Sequence, residues 1–278
     1  MDIPSHRLND GRSLPAIGFG TVPMKGQECV DAVFSALQAG YRLLDTATNY
    51  GNEPEVGRAI RSSDVPREDL FVTSKLPGRH HAYADAVASV RASLERLGLE
   101  YLDLHLIHWP NPSVGKYVEA WRALVDLRAE GLVRSIGVSN FTAEHLQRII
   151  AESGVTPVVN QIELHPYFPQ VGMRAVNEGL GIHTESWSPL GKREAPFHEP
   201  GVASAASAHG VSPAQVILRW QVQLGAVPIP KSATPQRQRQ NLDVFGFELT
   251  AAEMVAITAL GRPDGRLFGG DPDTHEEM

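Results

Sequence analysis

The stretch 43–53 reads LLDTATNYGNE: an aliphatic run stops at the carboxylate of Asp45, and a phenol follows at Tyr50. A short aliphatic run bounded by polar residues is typical of a buried strand. Two later runs end in the same way, since FVTSK at 71–75 ends on an ammonium and LHLIH at 104–108 ends on an imidazole. The sequence therefore predicts three successive strands with ionisable side chains at or just beyond their C-terminal ends.

Strand-like and helix-like patterns alternate along the whole chain. The predicted strands are 17–20, 41–45, 71–75, 102–108, 135–139, 158–164, 182–186 and 226–229. Between them apolar residues recur at helical spacing, as they do through 30–37. Eight strands with intervening helices favour an α/β fold of the (β/α)₈ or TIM barrel type over an open sheet. The C-terminal strand ends of such a barrel converge on one face, so the ionisable side chains would meet there.

The two ends of the chain have patterns of their own. Residues 6–14 carry Asp10-Gly11 between alternating residues, which predicts a β-hairpin that closes the barrel floor. No linker rich in Pro, Ser or Gly divides the sequence, so we expect 1–278 to form one domain. The last stretch, 261–278, is polar, Gly-rich and acidic, and we expect it to be loosely held.

The composition excludes several classes of protein. A formal net charge of -7 at pH 7 argues against nucleic acid or an anionic membrane as a partner. A single cysteine, Cys29, excludes an internal disulfide and a zinc site with several thiolates. The first residues lack the pattern of a signal peptide, and no apolar run is long enough to span a membrane. We therefore expect a cytoplasmic monomer.

The four ionisable side chains suit proton transfer to a carbonyl. Tyr50 would give its proton to the carbonyl oxygen as hydride reaches the carbon. A free phenol, with a pKa of about 10, is a poor donor at neutral pH, and the ammonium of Lys75 would stabilise its phenolate. Asp45 would hold Lys75 in place, and His108 would orient the carbonyl. The alternative is that Asp45 and Lys75 form an ordinary salt bridge, and that the tyrosine and the histidine are structural. This alternative explains any one of the residues well, but it does not explain why all four occur together.

A hydride donor needs a binding site, and a Rossmann fingerprint is missing. The motif Gly-Phe-Gly at 18–20 lacks a third glycine, because position 23 is Pro23. Lys231, Ser232 and Arg237 instead stand where a helix opens after the eighth predicted strand. Cations and hydroxyls at a helix N-terminus suit a phosphate. The alternative is a solvated basic turn.

Seven stretches, in order along the chain, resemble the aldo-keto reductase family. They are GYRLLDTA at 40–47, YGNE at 50–53, LIHWP at 106–110, IGVSNF at 136–141, NQIELHPY at 160–167, SWSPLG at 186–191 and IPKS at 229–232. Within the family, the chain most resembles the bacterial group that includes 2,5-diketo-D-gluconate reductases. The resemblance implies reduction of aldehydes and ketones to alcohols with NADPH.

The resemblance also implies how the cofactor is held. Lys231, Ser232 and Arg237 match the family's site for the 2′-phosphate of NADP, and Asn241 matches the residue that faces the adenine. Trp187 matches the aromatic that stacks on the nicotinamide. The other implied cofactor contacts are Gly20, Thr21, Asp45, Ser139, Asn140, Gln161, Ser188 and Leu190. Alternatively, Trp187 could be a core residue, and Asn140 could cap the helix that begins near Thr142.

The implied substrate pocket departs from the family pattern. Many relatives carry aromatic residues where this chain has Val22 and Pro77, whereas Trp109 keeps one aromatic wall. We therefore expect a wide mouth that favours small carbonyls and dicarbonyls and holds flat aromatic or steroid substrates poorly, unless Phe268 of the tail supplies a wall. No metal is predicted, since His105 and the histidine three residues later face opposite sides of one strand.

Two other functions fit parts of the sequence. A barrel that binds NADPH only as a sensor or subunit would not need Tyr50 as an acid, and the intact set of four argues against it. An isomerase or aldolase acting on phosphorylated substrates could use Lys75 as a Schiff base. It would leave Trp187, Asn140 and Gln161 without a joint role.

Overall fold

The aliphatic runs form strands in the computed structural model, which describes residues 3–277 except for the side chain of Glu194. The strands are β1 (Ser5–Arg7), β2 (Ser13–Pro15), β3 (Gly18–Gly20), β4 (Leu43–Asp45), β5 (Phe71–Leu76), β6 (Leu102–Ile107), β7 (Val133–Ser139), β8 (Val159–Glu163), β9 (His183–Trp187) and β10 (Val227–Pro228). The last eight form one parallel sheet in sequence order. All eight predicted strands are therefore present.

Helices follow the strands and cover the outside of the sheet. They are α1 (Gly26–Ala39), α2 (Glu53–Ser62), α3 (Tyr83–Leu97), α4 (Tyr117–Ala129), α5 (Ala143–Ser153), α6 (Val171–Gly179), α7 (Pro200–His209), α8 (Pro213–Gln223), α9 (Pro235–Leu242) and α10 (Ala251–Thr258). Their apolar faces bury large side chains such as Trp121 and Trp220 completely. None of the helices in 3–277 is long and apolar enough to cross a membrane.

The first strand of the sheet meets the segment just after the last strand, and this contact closes the barrel. The backbone N–H of Gly20 donates to the carbonyl of Pro230 at 3.0 Å. A Cβ on Gly18 would lie 2.6 Å from Cδ1 of Ile229, so the seam needs a residue without a side chain there. The glycines that suggested a weak nucleotide motif therefore serve barrel closure. The predicted (β/α)₈ barrel is confirmed.

Alternate side chains of each strand point into the barrel. The apolar part of this interior includes Leu43, Leu104, Leu106, Val159, Val227 and Ile229. Two residues further along their strands, Asp45 follows Leu43 and Gln161 follows Val159. The strand period thus places polar side chains at the C-terminal face.

The N-terminal strands pair as an antiparallel hairpin across the barrel floor. Leu8 and Leu14 are buried against the apolar interior. Asp10, at the turn, accepts a hydrogen bond from the hydroxyl of Ser135 at 2.6 Å. The predicted hairpin plug is confirmed.

The C-terminal segment 261–277 crosses the opposite face of the barrel and is held there. The N–H of Leu267 donates to Glu163 at 2.8 Å, and the N–H of Glu277 donates to the side chain of Asn111 at 3.0 Å. The expectation of a loosely held tail was wrong, because polar composition does not show which barrel groups satisfy the polar atoms. The final residue lies outside the described part of the chain.

Candidate active site

The four predicted catalytic side chains meet at the C-terminal face. Lys75 is fully buried, and its Nζ lies 2.6 and 2.8 Å from the two carboxylate oxygens of Asp45. The same nitrogen lies 3.1 Å from the carbonyl of Thr46 and 3.3 Å from the phenol oxygen of Tyr50. The rings of Tyr50 and His108 pack edge to face at 5.7 Å. One buried cation therefore links a carboxylate to a phenol.

The charge of Lys75 is set by its partner. Burial alone would disfavour the ammonium, but the carboxylate of Asp45, with Tyr50, outweighs it and raises the pKa of Lys75 above its ordinary value. The amine is therefore protonated at neutral pH. A Schiff base needs a neutral amine, so this environment disfavours the isomerase or aldolase alternative.

Tyr50 is positioned by a short turn after β4. It ends the 3₁₀ turn Thr48–Tyr50, and Gly51 follows at a φ of 61°. Asn52, completely buried, donates to the carbonyls of Thr21 and Met24 and so ties this loop to the one after β3. The loop is thus anchored on both sides of the phenol.

The pKa of Tyr50 moves opposite to the expectation. Burial raises this pKa, and although Lys75 lowers it, Asp45 and Glu277 raise it further. In this structure the pKa of Tyr50 therefore lies above its ordinary value. The ammonium of Lys75 is visible in the sequence, whereas the burial of Tyr50 and its proximity to Glu277 arise only in the folded chain. The phenol is therefore protonated at neutral pH, and because a raised pKa makes it a weaker acid, proton transfer depends on Lys75 to stabilise the phenolate.

The tail places a carboxylate on the predicted catalytic histidine. Oε1 of Glu277 lies 2.7 Å from Nδ1 of His108 and 2.6 Å from the amide nitrogen of Asn49. Its Oε2 accepts from the backbone N–H of Gly78 at 3.2 Å, and its backbone is held by Asn111. Burial opposes this charge, but His108 and the other donors lower the pKa of Glu277. The carboxylate is ionised at neutral pH.

A cavity of about 680 Å³ opens beside these groups. Twelve predicted site residues line it: Gly20, Val22, Asp45, Tyr50, His108, Trp109, Asn140, Gln161, Trp187, Ser188, Leu190 and Lys231. Others support the wall from behind. The hydroxyl of Thr21 donates to the Asp45 carbonyl, and that of Ser139 donates to the carbonyl of Gln161.

Pro77 is not among the residues that line the cavity. It is buried, and the segment after it lies under the tail. A Cβ on Gly78 would lie 2.1 Å from Nδ2 of Asn111 and 2.4 Å from the carbonyl oxygen of Glu277. The tail and Asn111 thus cover the position where relatives were expected to present an aromatic ring.

Trp187 and Asn140 are fixed to each other. The indole N–H of Trp187 donates to Oδ1 of Asn140 at 2.8 Å, and Nδ2 of Asn140 donates to the carbonyl of His108 at 3.0 Å. Asn140 has a φ of 61°, a conformation that asparagine tolerates better than most residues. Thr142 caps the following helix, so Asn140 does not. Trp187 is half-buried on the cavity wall, outside the apolar core.

Gln161 links three strands at the cavity wall. Its Nε2 donates to Oδ2 of Asp45 and to Oε2 of Glu185, both at 2.9 Å. Glu185 is completely buried on β9, and burial first, then Asp45, raises its pKa to about 8.

The predicted phosphate residues lie around the start of α9. Lys231 is exposed and lines one end of the cavity, and Arg237 is exposed in the first turn of the helix. Ser232 is buried and accepts from the N–H of Thr234 at 3.1 Å. Asn241 is buried in the next turn of the helix.

Phe268 of the tail supplies an aromatic wall. Its ring centroid lies 6.0 Å from that of Trp109 and 5.8 Å from that of Trp187. The ammonium of Lys192 lies 5.9 Å from the rings of both Trp187 and Phe268. Phe268 therefore narrows the mouth of the cavity. The sequence predicts a wide mouth unless Phe268 supplies a wall, and this exception applies. Among the described residues, no cluster of His, Cys, Asp and Glu could hold a metal ion.

Sequence reasoning missed several residues of this site. Glu185 could have been identified from the sequence. It lies inside a strand two residues before Trp187, so the two side chains are on the same, inward face. Asn49, Asn111 and Glu277 could not, because they meet only through the path of the tail.

Comparison with known proteins gives the same assignment. The sequence profile described as "Aldo/keto reductase family" matches residues 16–194 and 200–262. The chain belongs to the aldo/keto reductase family. The resemblance inferred from its seven stretches is therefore confirmed, and the chain is an oxidoreductase of this family.

Similar proteins match almost end to end. The chain is 58% identical to 2,5-diketo-D-gluconic acid reductase B of Corynebacterium sp., over 100% of this chain and 99% of that protein. A solved aldo/keto reductase from Brucella melitensis is 48% identical, with a TM-score of 0.90 over 93% of this chain and 100% of that one. The aldo-keto reductase of Bombyx mori, solved in complex with NADP, is 38% identical, with a TM-score of 0.89 over 94% of each chain.

Proposed function

We propose that this chain, as a single barrel domain, reduces aldehydes and ketones to alcohols with NADPH and uses Tyr50 as the proton donor. One observation carries the proposal. The phenol of Tyr50 lines the cavity and lies 3.3 Å from the buried ammonium of Lys75, which Asp45 holds from the other side. A neutral donor with a cation behind it is the arrangement that general acid catalysis of carbonyl reduction requires.

The cavity residues fit a nicotinamide cofactor. Trp187 offers a half-buried aromatic ring on the wall, and its indole N–H is fixed by Asn140. Both N–H groups of Gln161 are used within the protein, which leaves its carbonyl oxygen for a ligand. Lys231 and Arg237 give a positive end for the 2′-phosphate. NADPH, when bound, supplies the hydride.

The protein supplies the proton and the orientation. Tyr50 is protonated at neutral pH and can give its proton to a carbonyl oxygen as that oxygen gains negative charge. The phenolate left after proton transfer is stabilised by Lys75. His108 lies beside the phenol and would donate a hydrogen bond to the same oxygen.

We propose small carbonyls and dicarbonyls as the favoured substrates. The cavity has about 680 Å³ for both cofactor and substrate, and the tail covers part of its face. The name of the 58% identical relative, 2,5-diketo-D-gluconic acid reductase B, supports a small polar dicarbonyl.

The experiment is a carbonyl panel with the purified full chain, followed by the near-ultraviolet absorbance of NADPH. Methylglyoxal and a sugar-derived dicarbonyl should consume NADPH in proportion to the alcohol formed, as measured by mass spectrometry. NADH is the matched control and should be consumed far more slowly. A sensor would quench its tryptophan fluorescence on binding NADPH yet leave every carbonyl unreduced, and that result would overturn the proposal.

A further inference from the structure

Glu185 is a buried carboxyl that the proposed reaction does not use. It lies on β9 with its side chain inside the barrel, opposite Gln161 in the strand register, and is 0% exposed. Its Oε2 accepts from Gln161 at 2.9 Å, whereas its Oε1 has no hydrogen-bond partner among the described residues. An ionised carboxylate with a bare oxygen in a barrel interior is costly, whereas a neutral carboxyl there costs far less.

Glu185 and Asp45 together define the orientation of Gln161. The amide nitrogen carries two hydrogens, and one is directed to Asp45 on β4 while the other is directed to Glu185 on β9. Turning the amide over would bring its oxygen against the carboxylate of Asp45, which has no hydrogen to donate. The remaining oxygen of Gln161 is then the atom available to a ligand in the cavity.

Glu185 also stands at the end of a chain of charge contacts. Gln161 joins it to Asp45, Asp45 pairs with Lys75, and Lys75 contacts Tyr50. The charged groups that act on Glu185 are Asp45 and Lys75. A second negative charge at this end would oppose formation of a phenolate at Tyr50, because like charges disfavour one another in a low-dielectric interior.

We propose that Glu185 is a positioning residue whose neutral form orients Gln161 toward the cofactor and keeps a second negative charge away from Asp45, Lys75 and Tyr50. The inference rests on the proposed function for its effect on catalysis. Full activity then requires that Glu185 be protonated, although Glu185 contacts neither substrate nor cofactor. Burial and the neighbouring Asp45 raise the pKa of Glu185 to about 8, which places its ionisation just above neutral pH.

The first test needs no cofactor and no turnover. Infrared difference spectra of the wild type minus Glu185→Gln, in D₂O without ligand, should contain the carbonyl band of a protonated carboxylic acid at neutral pH. The band should disappear as the pH rises through about 8. Absence of the band at neutral pH would show that Glu185 is ionised there and would overturn the proposal, whether or not the protein is a reductase.

The second test compares pH profiles of kcat for NADPH-dependent reduction. In the wild type, ionisation of Glu185 at alkaline pH should oppose formation of the Tyr50 phenolate and so raise the pKa of Tyr50. The kcat value should fall about tenfold for each pKa unit of that rise. Glu185→Gln keeps an acceptor for Gln161 but cannot ionise, so it should match the wild type at neutral pH and lack this loss in alkali. Identical profiles for the two proteins would overturn the proposal.

The third test separates orientation from charge. Glu185→Met removes the acceptor, so NADPH should bind about tenfold more weakly in fluorescence titration, while Glu185→Gln should bind normally. Ser186→Ala is the matched control, because the next residue of β9 faces away from the barrel interior. Equal binding by the Met and Gln variants would overturn the orienting role. Absence of turnover in the wild type would instead count against the proposed function and leave the infrared result standing.

Discussion

Oε1 of Glu277 lies 2.7 Å from Nδ1 of His108, and a neutral imidazole has only one N–H to donate, so we expect the tail carboxylate to compete with a substrate carbonyl for that hydrogen. Glu277→Gln keeps the shape of the side chain and removes its charge. The carboxylate makes contacts of 2.7 Å with His108 and 2.6 Å with Asn49. A charge-assisted hydrogen bond contributes about 1.5–3 kcal/mol, and this side chain is 12% exposed, so we take the lower end.

A difference of about 1.4 kcal/mol is a factor of ten, so Glu277→Gln should lower KM for methylglyoxal about tenfold. The affinity for NADPH should change little, because the basic end of the cavity is untouched. Steady-state kinetics at saturating NADPH measures this. Glu276→Gln is the matched control, since Glu276 binds the N–H of Ser113 and lies in the same tail. An unchanged KM would refute the competition, and a raised KM would show that Glu277 binds the substrate.

The contact between Glu277 and His108 makes the contribution of Glu277 to stability depend on pH. Because the pKa of Glu277 is lowered in the folded protein, its contribution to stability is present above the ordinary carboxyl pKa of about 4.3. It is lost as the pH falls through the lower, folded-state value. The competition with substrate therefore persists throughout the neutral range.

Three further predictions test the cofactor site, the cation and the tail wall. Arg237→Ala should weaken NADPH binding at least about tenfold and leave NADH binding almost unchanged in fluorescence titration, whereas Arg239→Ala serves as the control; equal losses for both cofactors would remove the phosphate assignment. Lys75→Met should lower kcat about 10²-fold while NADPH still binds, and a near-normal kcat would show that the ammonium is dispensable. Phe268→Ala should raise KM for an aromatic aldehyde more than KM for methylglyoxal, since an aromatic ring can cover about 150–250 Å². A clear kcat/KM advantage for a steroid ketone over methylglyoxal in the wild type would contradict the small-substrate assignment.

The barrel could be predicted because its signals are local. A strand such as 71–75 is visible as an aliphatic run that ends on a polar residue, and the observed β5 differs from it by one residue. The parallel order of the strands then brings Asp45 and Lys75 together without any knowledge of their contacts. Asp45, Lys75 and their neighbours on the cavity wall could therefore be named from the sequence.

The rest depends on groups that are distant in sequence. Glu277 reaches His108 across 169 positions, and no local pattern marks it as a ligand of that ring. The path of the tail next to Pro77 likewise has no local signal, since it brings Asn111 and Glu277 against Gly78. The direction of the pKa of Tyr50 was missed for the same reason, because burial is a property of the folded barrel.

The central claim is that Tyr50 donates the proton. Its most direct test is Tyr50→Phe, which keeps an aromatic ring and removes the phenol, measured by stopped-flow oxidation of NADPH with methylglyoxal and by NADPH titration of the same preparation. We expect binding of NADPH to survive and carbonyl reduction to fall by about 10²-fold or more. A Tyr50→Phe variant that binds NADPH and keeps a near-normal kcat would contradict the account, because another group would then donate the proton.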